Sequence, residues 1–202
     1  MARFTPPQRR CPTCALVLPV DVPACGICLR TPAPLDQCLA AVDYAYPWAQ
    51  AIGQFKFQGD PGWAGTLAAL IQGIPWADPV LQAADIVLPV PLSRQRLQER
   101  GFNQALLLAR HLAPDKTDAT VLLRVRHTPA QMPLRRAERL QNLRGALVVE
   151  PLRQAAVAGR RVVLVDDVMT TGATLHASAQ ALRQAGATHI CAIVAARTGI
   201  RR

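Results

Sequence analysis

The segment at residues 162–174 constrains the fold of this chain more than any other part of the sequence. It begins with a run of apolar, mostly β-branched residues, continues through the adjacent carboxylates of Asp166 and Asp167, and ends in a threonine- and glycine-containing turn that leads into an amphipathic helix. Strands that are apolar throughout are typical of parallel sheets covered on both faces. Because ligands of such sheets bind beyond the carboxyl ends of the strands, the segment predicts an α/β fold with a ligand site at this turn.

The residue types in the turn suit a phosphate group. Thr170, Thr171 and Thr174 offer hydroxyl donors. Gly172 permits close approach of the backbone, and the amides from Ala173 onward face any anion at the start of the helix. The carboxylate pair before the turn can accept hydrogen bonds from two neighbouring ribose hydroxyls and oppose positive charge at the anomeric carbon. A carboxylate pair alone is more often a turn or a helix cap, but the combination predicts a sugar phosphate site that is neither a Walker A loop nor a dinucleotide motif.

The rest of the chain has the periodicity of an α/β domain. Apolar residues recur at helical spacing over 48–57, 63–71, 103–112 and 174–185, with Asn103 as a helix N-cap. Short apolar runs predict strands at 38–46, 85–91, 121–125, 145–149, 161–165 and 190–195. We therefore expect a central, mainly parallel sheet flanked by helices on both faces. The polar, Arg-rich stretch 127–144 is long for a loop, which predicts that it is functional or mobile.

Four of the six cysteines form two Cys-x-x-Cys pairs near the N-terminus. Both sulfurs of such a pair can reach one ion, and two pairs complete the tetrahedral sulfur shell that suits Zn²⁺. Two disulfides, or a redox pair, are the alternatives. We predict a structural zinc site in a small module at residues 1–35, ahead of a main domain at 36–202. Its ligands would be Cys11, Cys14, Cys25 and Cys28, while Cys38 and Cys191 lie in apolar runs and are expected to be core thiols.

A second basic segment, residues 89–104, also follows a predicted strand and opens a helix. It can present Arg94, Arg96 and Arg100 at the same edge of the sheet, where a pyrophosphate would need bidentate donors. A solvated basic turn is the alternative. The formal charge is +10, and only Lys56 and Lys116 among the 23 basic residues are lysine. This Arg excess fits a phosphate-rich ligand or nucleic acid, but it also follows from a high-GC genome, so charge alone decides nothing.

Both segments resemble a known family. Residues 162–174 resemble, along their whole length, the signature for 5-phosphoribosyl-1-pyrophosphate (PRPP) in type I phosphoribosyltransferases. Residues 89–104 look like the Pro-Val-Pro-Leu…Arg-Gly-Phe-Asn-Gln block of the ComF family, amidophosphoribosyltransferase-like proteins named for competence for DNA uptake. The resemblance includes the N-terminal cysteines and six further positions, Thr128, Gln131, Leu134, Arg139, Asn142 and Gly145. It spans nearly the whole chain.

The resemblance implies a type I phosphoribosyltransferase fold and a mechanism. Asp166 and Asp167 would be the catalytic pair that holds the ribose hydroxyls, and Mg²⁺ would accompany PRPP. The 5-phosphate would be anchored by Thr170, Thr171, Gly172, Ala173 and Thr174. By position, residues 92–101 would bind pyrophosphate and 127–144 would close over the site, although the sequence does not define which Arg contacts pyrophosphate. Pyrophosphate would leave as an unidentified acceptor attacks C1.

Three functions are consistent with the sequence. The first is an Mg²⁺-dependent phosphoribosyltransferase. The second is a non-catalytic accessory protein of competence, which senses PRPP or a nucleotide and uses its zinc module and basic surface to dock DNA-uptake partners or single-stranded DNA. The third is a zinc-ribbon nucleic-acid binder, which has little support because the aromatic content is only 4%. No apolar run reaches the roughly 18 residues of a membrane span, and cysteines rather than an apolar core follow the basic N-terminus, so a cytoplasmic protein is predicted.

Overall fold

A computed structural model describes residues 8–126 and 145–199 of the chain. The strands are β1 (Gln37–Asp43), β2 (Ile86–Pro89), β3 (Leu122–Arg124), β4 (Leu147–Val149), β5 (Arg161–Met169) and β6 (His189–Arg197). The helices are α1 (Gly26–Arg30), α2 (Trp48–Phe57), α3 (Trp63–Gln72), α4 (Ala77–Ala83), α5 (Arg94–Arg100), α6 (Gln104–Leu112) and α7 (Ala173–Gln184). The predictions for residues 127–144 lie outside the described residues.

A four-stranded, wholly parallel sheet forms the centre of the fold, in the order β1-β6-β5-β2. Its register places Leu164 of β5 between Leu88 of β2 and Ala192 of β6. The predicted parallel sheet is therefore confirmed. The predicted strands at 121–125 and 145–149 also form, as β3 and β4, but they pair with each other in a separate antiparallel ribbon. A short apolar run predicts a strand without saying which sheet it joins.

The side chains of each strand alternate between the two faces of the sheet, so both faces carry apolar residues. Helices cover both faces. Val163 and Val165 of β5 belong to one buried cluster, together with Phe55, Leu67 and Leu108 of α2, α3 and α6. A second buried cluster on the opposite face contains the intervening β5 residues and α7, through Val162, Leu164, Leu175 and Leu182. Each large apolar side chain that is buried in this way contributes about 1.5–3 kcal/mol. Residues 162–165 of β5 are all apolar because both faces of the sheet are covered there.

The cysteine segment packs onto the second of these clusters. Cys11, Cys14 and Leu16 are buried in it. The backbone carbonyl of Pro12 accepts a hydrogen bond of 2.7 Å from the amide of Cys38 in β1. The segment has few large apolar residues of its own, and the sheet supplies the rest of its core. The division into a module at 1–35 and a domain at 36–202 stays a prediction.

Two local predictions differ from the structure. Strand β5 was expected to end at Val165 but continues to Met169, because β6 remains paired beside it through Arg197. The basic stretch 92–101 was expected to be a loop, but α5 forms within it. The side chain of Ser93 caps α5 by accepting from the amide of Arg96, and Gly101 ends it in the left-handed conformation.

Within the described parts of the chain, no helix is both long enough and apolar enough to cross a membrane.

Candidate functional site

The two adjacent carboxylates lie near the carboxyl end of β5 but differ in their surroundings. Asp167 is only 5% exposed, and its Oδ1 lies 2.8 Å from Nζ of Lys56 at the end of α2. Asp166 is partly exposed, and its Oδ1 accepts a hydrogen bond of 2.9 Å from the backbone amide of Asp167. The sequence predicted that both carboxylates accept hydrogen bonds from ribose hydroxyls. The structure instead commits one to an ion pair and leaves the other the more accessible.

The environment of Asp166 disfavours its ionised form. Burial is the largest cause and the charge of Asp167 the next, and together they raise the pKa of Asp166 to about 7. The charges of Lys56 and Arg100 act in the opposite direction but do not cancel this effect. A cation or a hydroxyl donor that binds beside such a carboxyl group stabilises its ionised form. Asp166 is therefore the more exposed carboxylate of the pair and the one whose pKa is raised.

Basic side chains surround this carboxylate pair. The guanidinium of Arg100 lies 5.3 Å from the centre of the Phe57 ring and donates to Oε1 of Gln104 at 3.1 Å, which fixes its position. The pKa of Arg124, on β3, is lowered by burial and by the charge of Arg96, and raised by the charge of Asp166. Arg100 and Arg124 therefore interact electrostatically with Asp166, and Arg96 interacts with Arg124.

The three predicted arginines are not equivalent in the structure. Arg96 and Arg100 are partly buried on α5, whereas Arg94 is exposed at the first position of that helix. Two further basic residues at the site, Lys56 and Arg124, were not predicted. Lys56 had a weak signal, since it is one of only two lysines in an arginine-rich chain. No signal in the sequence pointed to Arg124, because it lay within a predicted strand.

The threonine- and glycine-containing turn connects the end of β5 to the start of α7, as predicted. Gly172 has φ +81°, and a Cβ at this position would lie 2.5 Å from Cε of Met169. The backbone amide of Ala173 donates to Oγ1 of Thr171 at 3.4 Å. Thr170 is exposed, while Thr171 and Thr174 are partly buried. The turn therefore lies at the carboxyl edge of the sheet, within a few residues of the carboxylates, at the N-terminus of a twelve-residue helix.

The four predicted zinc ligands come together in one cluster. The Sγ atoms of Cys11, Cys14, Cys25 and Cys28 all lie within 4.8 Å of one another. The distance between Sγ of Cys14 and Sγ of Cys25 is 3.5 Å. Four sulfurs at the usual Zn–S distance of about 2.3 Å in a tetrahedron would be about 3.8 Å apart, so the cluster fits a zinc ion.

Backbone amides donate to two sulfurs of this cluster, whereas burial raises the pKa of Cys14 to about 11 and also raises that of Cys28. The amide of Cys25 donates to Sγ of Cys11 at 3.5 Å, and that of Cys28 to Sγ of Cys25 at 3.4 Å. Burial acts to raise the pKa of Cys11, but hydrogen bonds from backbone amides outweigh it and lower the pKa to about 7. All six cysteines are free in the structure, and the four sulfurs that lie together favour a metal cluster over two disulfides. Cys38 and Cys191 are 3% and 1% exposed, which confirms them as core thiols.

Known proteins resemble this chain over most of its length. The model of the phosphoribosyl transferase domain family matches residues 68–202. The DNA utilization protein YhgH of Escherichia coli K12 is 36% identical over 183 residues, which cover 88% of this chain and 79% of that protein. Competence protein F of Haemophilus influenzae is 34% identical over 188 residues, or 89% of this chain and 81% of the relative. Competence protein ComFC of Bacillus subtilis is 37% identical over 101 residues, covering 50% of this chain and 39% of that protein.

Proposed function

The chain belongs to the ComF family of proteins with a phosphoribosyl transferase domain, and on that premise we propose that it binds PRPP with Mg²⁺ and transfers the phosphoribosyl group to an acceptor. One observation carries the proposal. A carboxylate pair and a glycine-containing turn that opens a helix meet at the carboxyl edge of one parallel sheet, with basic side chains beside them. This edge is where ligands of open α/β sheets bind.

The turn would hold the 5-phosphate. Oriented amides at the start of α7 and the helix dipole favour an anion there. The hydroxyls of Thr170, Thr171 and Thr174 would add donors, and Gly172 would allow the backbone to approach the phosphate closely. The contact of Met169 with the inner side of this turn limits its movement, because the side chain of Met169 is only 2% exposed. The phosphate would therefore meet a preorganised site.

Asp166 would hold the ribose hydroxyls, and the basic side chains would face the pyrophosphate. Mg²⁺ would neutralise the pyrophosphate oxygens of PRPP when bound. As an acceptor forms its bond to C1, the bond from C1 to the pyrophosphate oxygen breaks and its electron pair leaves with pyrophosphate. Arg96 and Arg100 would stabilise the leaving charge. Bound ribose hydroxyls would favour the ionised form of Asp166, which would then oppose the positive charge that develops at C1.

The cysteine cluster would hold a structural Zn²⁺. Four thiolates fill a tetrahedral shell, which leaves no position open for a substrate. The ion would supply the stabilisation that this segment lacks in large apolar side chains of its own. The protein would act in the cytoplasm.

The Lys56–Asp167 ion pair favours a second candidate function. Because Asp167 is neutralised by Lys56 and nearly buried, it offers little extra charge to a transition state. A site of this kind could bind PRPP without turning it over. The chain would then be a sensing component of competence, in line with relatives that are named for competence and DNA utilization, and would dock DNA-uptake proteins or single-stranded DNA.

Calorimetry with Mg-PRPP tests both functions. We expect the wild-type protein to bind, Asp166→Asn to bind more weakly, and Asp115→Asn, which removes an exposed carboxylate outside the site, to bind as the wild type does. Pyrophosphate release is then measured with a panel of bases and amines. Release supports the transferase, binding without release by any acceptor supports the sensor, and no binding of Mg-PRPP by the wild type overturns both.

A further inference from the structure

We call the threonine- and glycine-containing turn at residues 170–174 the phosphate turn. Arg197, the last residue of β6, connects this turn with the cysteine cluster. It is 4% exposed. Its Nη1 donates to the backbone carbonyls of Met169 at 3.0 Å and Thr198 at 2.7 Å, and also to that of Thr170. Its Nε donates to the carbonyl of Cys14 at 2.8 Å. One guanidinium therefore bonds the first residues of the phosphate turn and one of the cysteines of the cluster.

The chemistry of arginine suits this bridging position. The guanidinium is planar and rigid and has five N–H donors, so it can serve acceptors on two sides at once. Truncation of the side chain would remove the donor of the buried Cys14 carbonyl and one donor of the buried Met169 carbonyl, which also accepts from the amide of Thr198. A buried carbonyl that loses its donor is unfavourable. The ammonium of a lysine could satisfy some of these acceptors, but its donors radiate from a single nitrogen. The hydrogen bonds to Cys14 and to Met169 therefore both come from this one side chain.

A second set of contacts joins the same two parts of the protein. The amide of Cys38 donates to Pro12, between the first two cysteines of the cluster, at 2.7 Å. The thiol of Cys38 lies 3.6 Å from Sδ of Met169. Met169 in turn packs against Gly172, as its Cε position shows. A displacement of the cysteine cluster would therefore reach the phosphate turn through packing as well as through Arg197.

We propose that Arg197 is a positioning residue that couples the cysteine cluster to the phosphate turn, so that metal bound at the cluster and ribose phosphate bound at the turn strengthen each other's binding. The inference rests on the proposed function of the turn. An ion shared by the four cysteines holds Cys14 in place, and Cys14 holds the Nε side of Arg197. The Nη1 side then fixes the carbonyls at the start of the turn. Without the ion, the packing of apolar side chains such as Leu16 and Leu18 on the sheet would have to hold the cysteine segment in that position.

Coupling of this kind is reciprocal, which provides a test without catalysis. The affinity of the zinc-loaded protein for zinc is measured by competition with a chelator, with and without saturating ribose 5-phosphate. Calorimetry gives the affinity for ribose 5-phosphate itself. We expect ribose 5-phosphate to raise the zinc affinity of the wild type by about 5-fold or more, within the usual range of coupling. In Arg197→Met this increase should become smaller, because only the packing contacts through Cys38 and Met169 remain, and ribose 5-phosphate should bind on the order of tenfold more weakly.

Arg183 offers a matched control. It is also an arginine with several bonds, to the carbonyls of Ala187 and Thr188 and to the carboxylate of Asp36, but it lies at the opposite end of α7. Arg183→Met should lose stability and keep both the affinity for ribose 5-phosphate and the coupling. Arg197→Lys, which retains the charge, is the second variant if Arg197→Met does not fold, and its coupling should be reduced.

The outcomes separate the two proposals. If the wild type does not bind ribose 5-phosphate, the proposed function fails and the coupling fails with it. If the wild type binds ribose 5-phosphate but its zinc affinity is unchanged, the site stands and the coupling is overturned. Wild-type coupling that persists undiminished in Arg197→Met or Arg197→Lys would overturn the role of Arg197.

Discussion

Replacement of Gly172 by alanine tests whether the turn has the conformation that the proposed function requires. Gly172 has φ +81°, in the region that alanine rarely adopts. A Cβ there would lie 2.5 Å from Cε of Met169 and 3.3 Å from Nε2 of His176. Both neighbours are buried, at 2% and 5% exposure. The substitution therefore combines backbone strain with a steric clash.

The expected loss of stability follows from these two effects. The left-handed conformation costs an alanine about 1–2 kcal/mol. Overpacking of a filled site costs about 1–3 kcal/mol, and the value here should be near the lower end because Cε is the flexible end of Met169. We therefore expect Gly172→Ala to lower the free energy of unfolding by about 2–4 kcal/mol.

Gly159→Ala isolates the steric part. Gly159 has φ +73°, and nothing lies within 4 Å of a Cβ built on it. This control should lose only the backbone contribution of about 1–2 kcal/mol. The assay is urea unfolding of both variants, together with calorimetry of ribose 5-phosphate binding. We expect binding to weaken in Gly172→Ala and to stay unchanged in Gly159→Ala. Equal stability of the two variants, with binding intact in both, would refute the close packing of Met169 and His176 against the turn.

Three further changes probe the carboxylates and the cysteine cluster. Lys56→Met removes the ammonium that pairs with the buried Asp167 and should lower the free energy of unfolding, measured by urea titration, by about 3–5 kcal/mol. The double variant Lys56→Met/Asp167→Leu should recover most of this loss. An unaltered urea midpoint in Lys56→Met would contradict the expected role of the ion pair. Burial and the charge of Asp167 raise the pKa of Asp166 to about 7, so the folded protein retains a proton that the unfolded chain releases. Wild-type stability should therefore fall relative to Asp166→Asn as the pH rises from the ordinary carboxyl value of 3.8 to about 7, and a constant difference would show that Asp166 titrates normally. Metal analysis should find zinc lost from Cys14→Ser and retained in Cys191→Ser, a buried thiol outside the cluster; full zinc in Cys14→Ser would exclude a four-cysteine site.

The main helices and strands were predictable because their signals are local. Helix α2 begins and ends at the predicted residues, 48 and 57. Helix α6 has the predicted cap, since Oδ1 of Asn103 accepts from the amides of Ala105 and Leu106. These elements carry apolar residues at the spacing of one buried face. Helix α5 was missed because it has no buried residue, so its sequence shows no apolar period.

The extent of β5 could not be predicted from its own residues. The apolar run stops at Val165, and two carboxylates follow it. The strand nevertheless continues to Met169, because β6 extends beside it and supplies backbone partners. Strand length is a property of the pair of strands, whereas the apolar run belongs to one of them.

The division of roles between the two carboxylates also required the tertiary structure. Adjacent aspartates are chemically identical in the sequence. Lys56 reaches Asp167 from a helix that lies on the same face of the sheet as Val163 and Val165. Asp166, the neighbouring residue, stays partly exposed. The resemblance to a family predicted the pair as a unit, and the packing of α2 against β5 made the two members different.

By itself, the sequence determined the α/β fold class, the parallel sheet, the position of the threonine- and glycine-containing turn and the residues of the cysteine cluster. These properties depend on short spacings along the chain, such as those of a Cys-x-x-Cys pair or of an apolar strand. Only the tertiary structure decided that Lys56 neutralises Asp167 and that Arg197 joins the turn to Cys14. Each of these contacts joins residues far apart in the chain, and their formation depends on how the helices and the cysteine segment pack on the sheet.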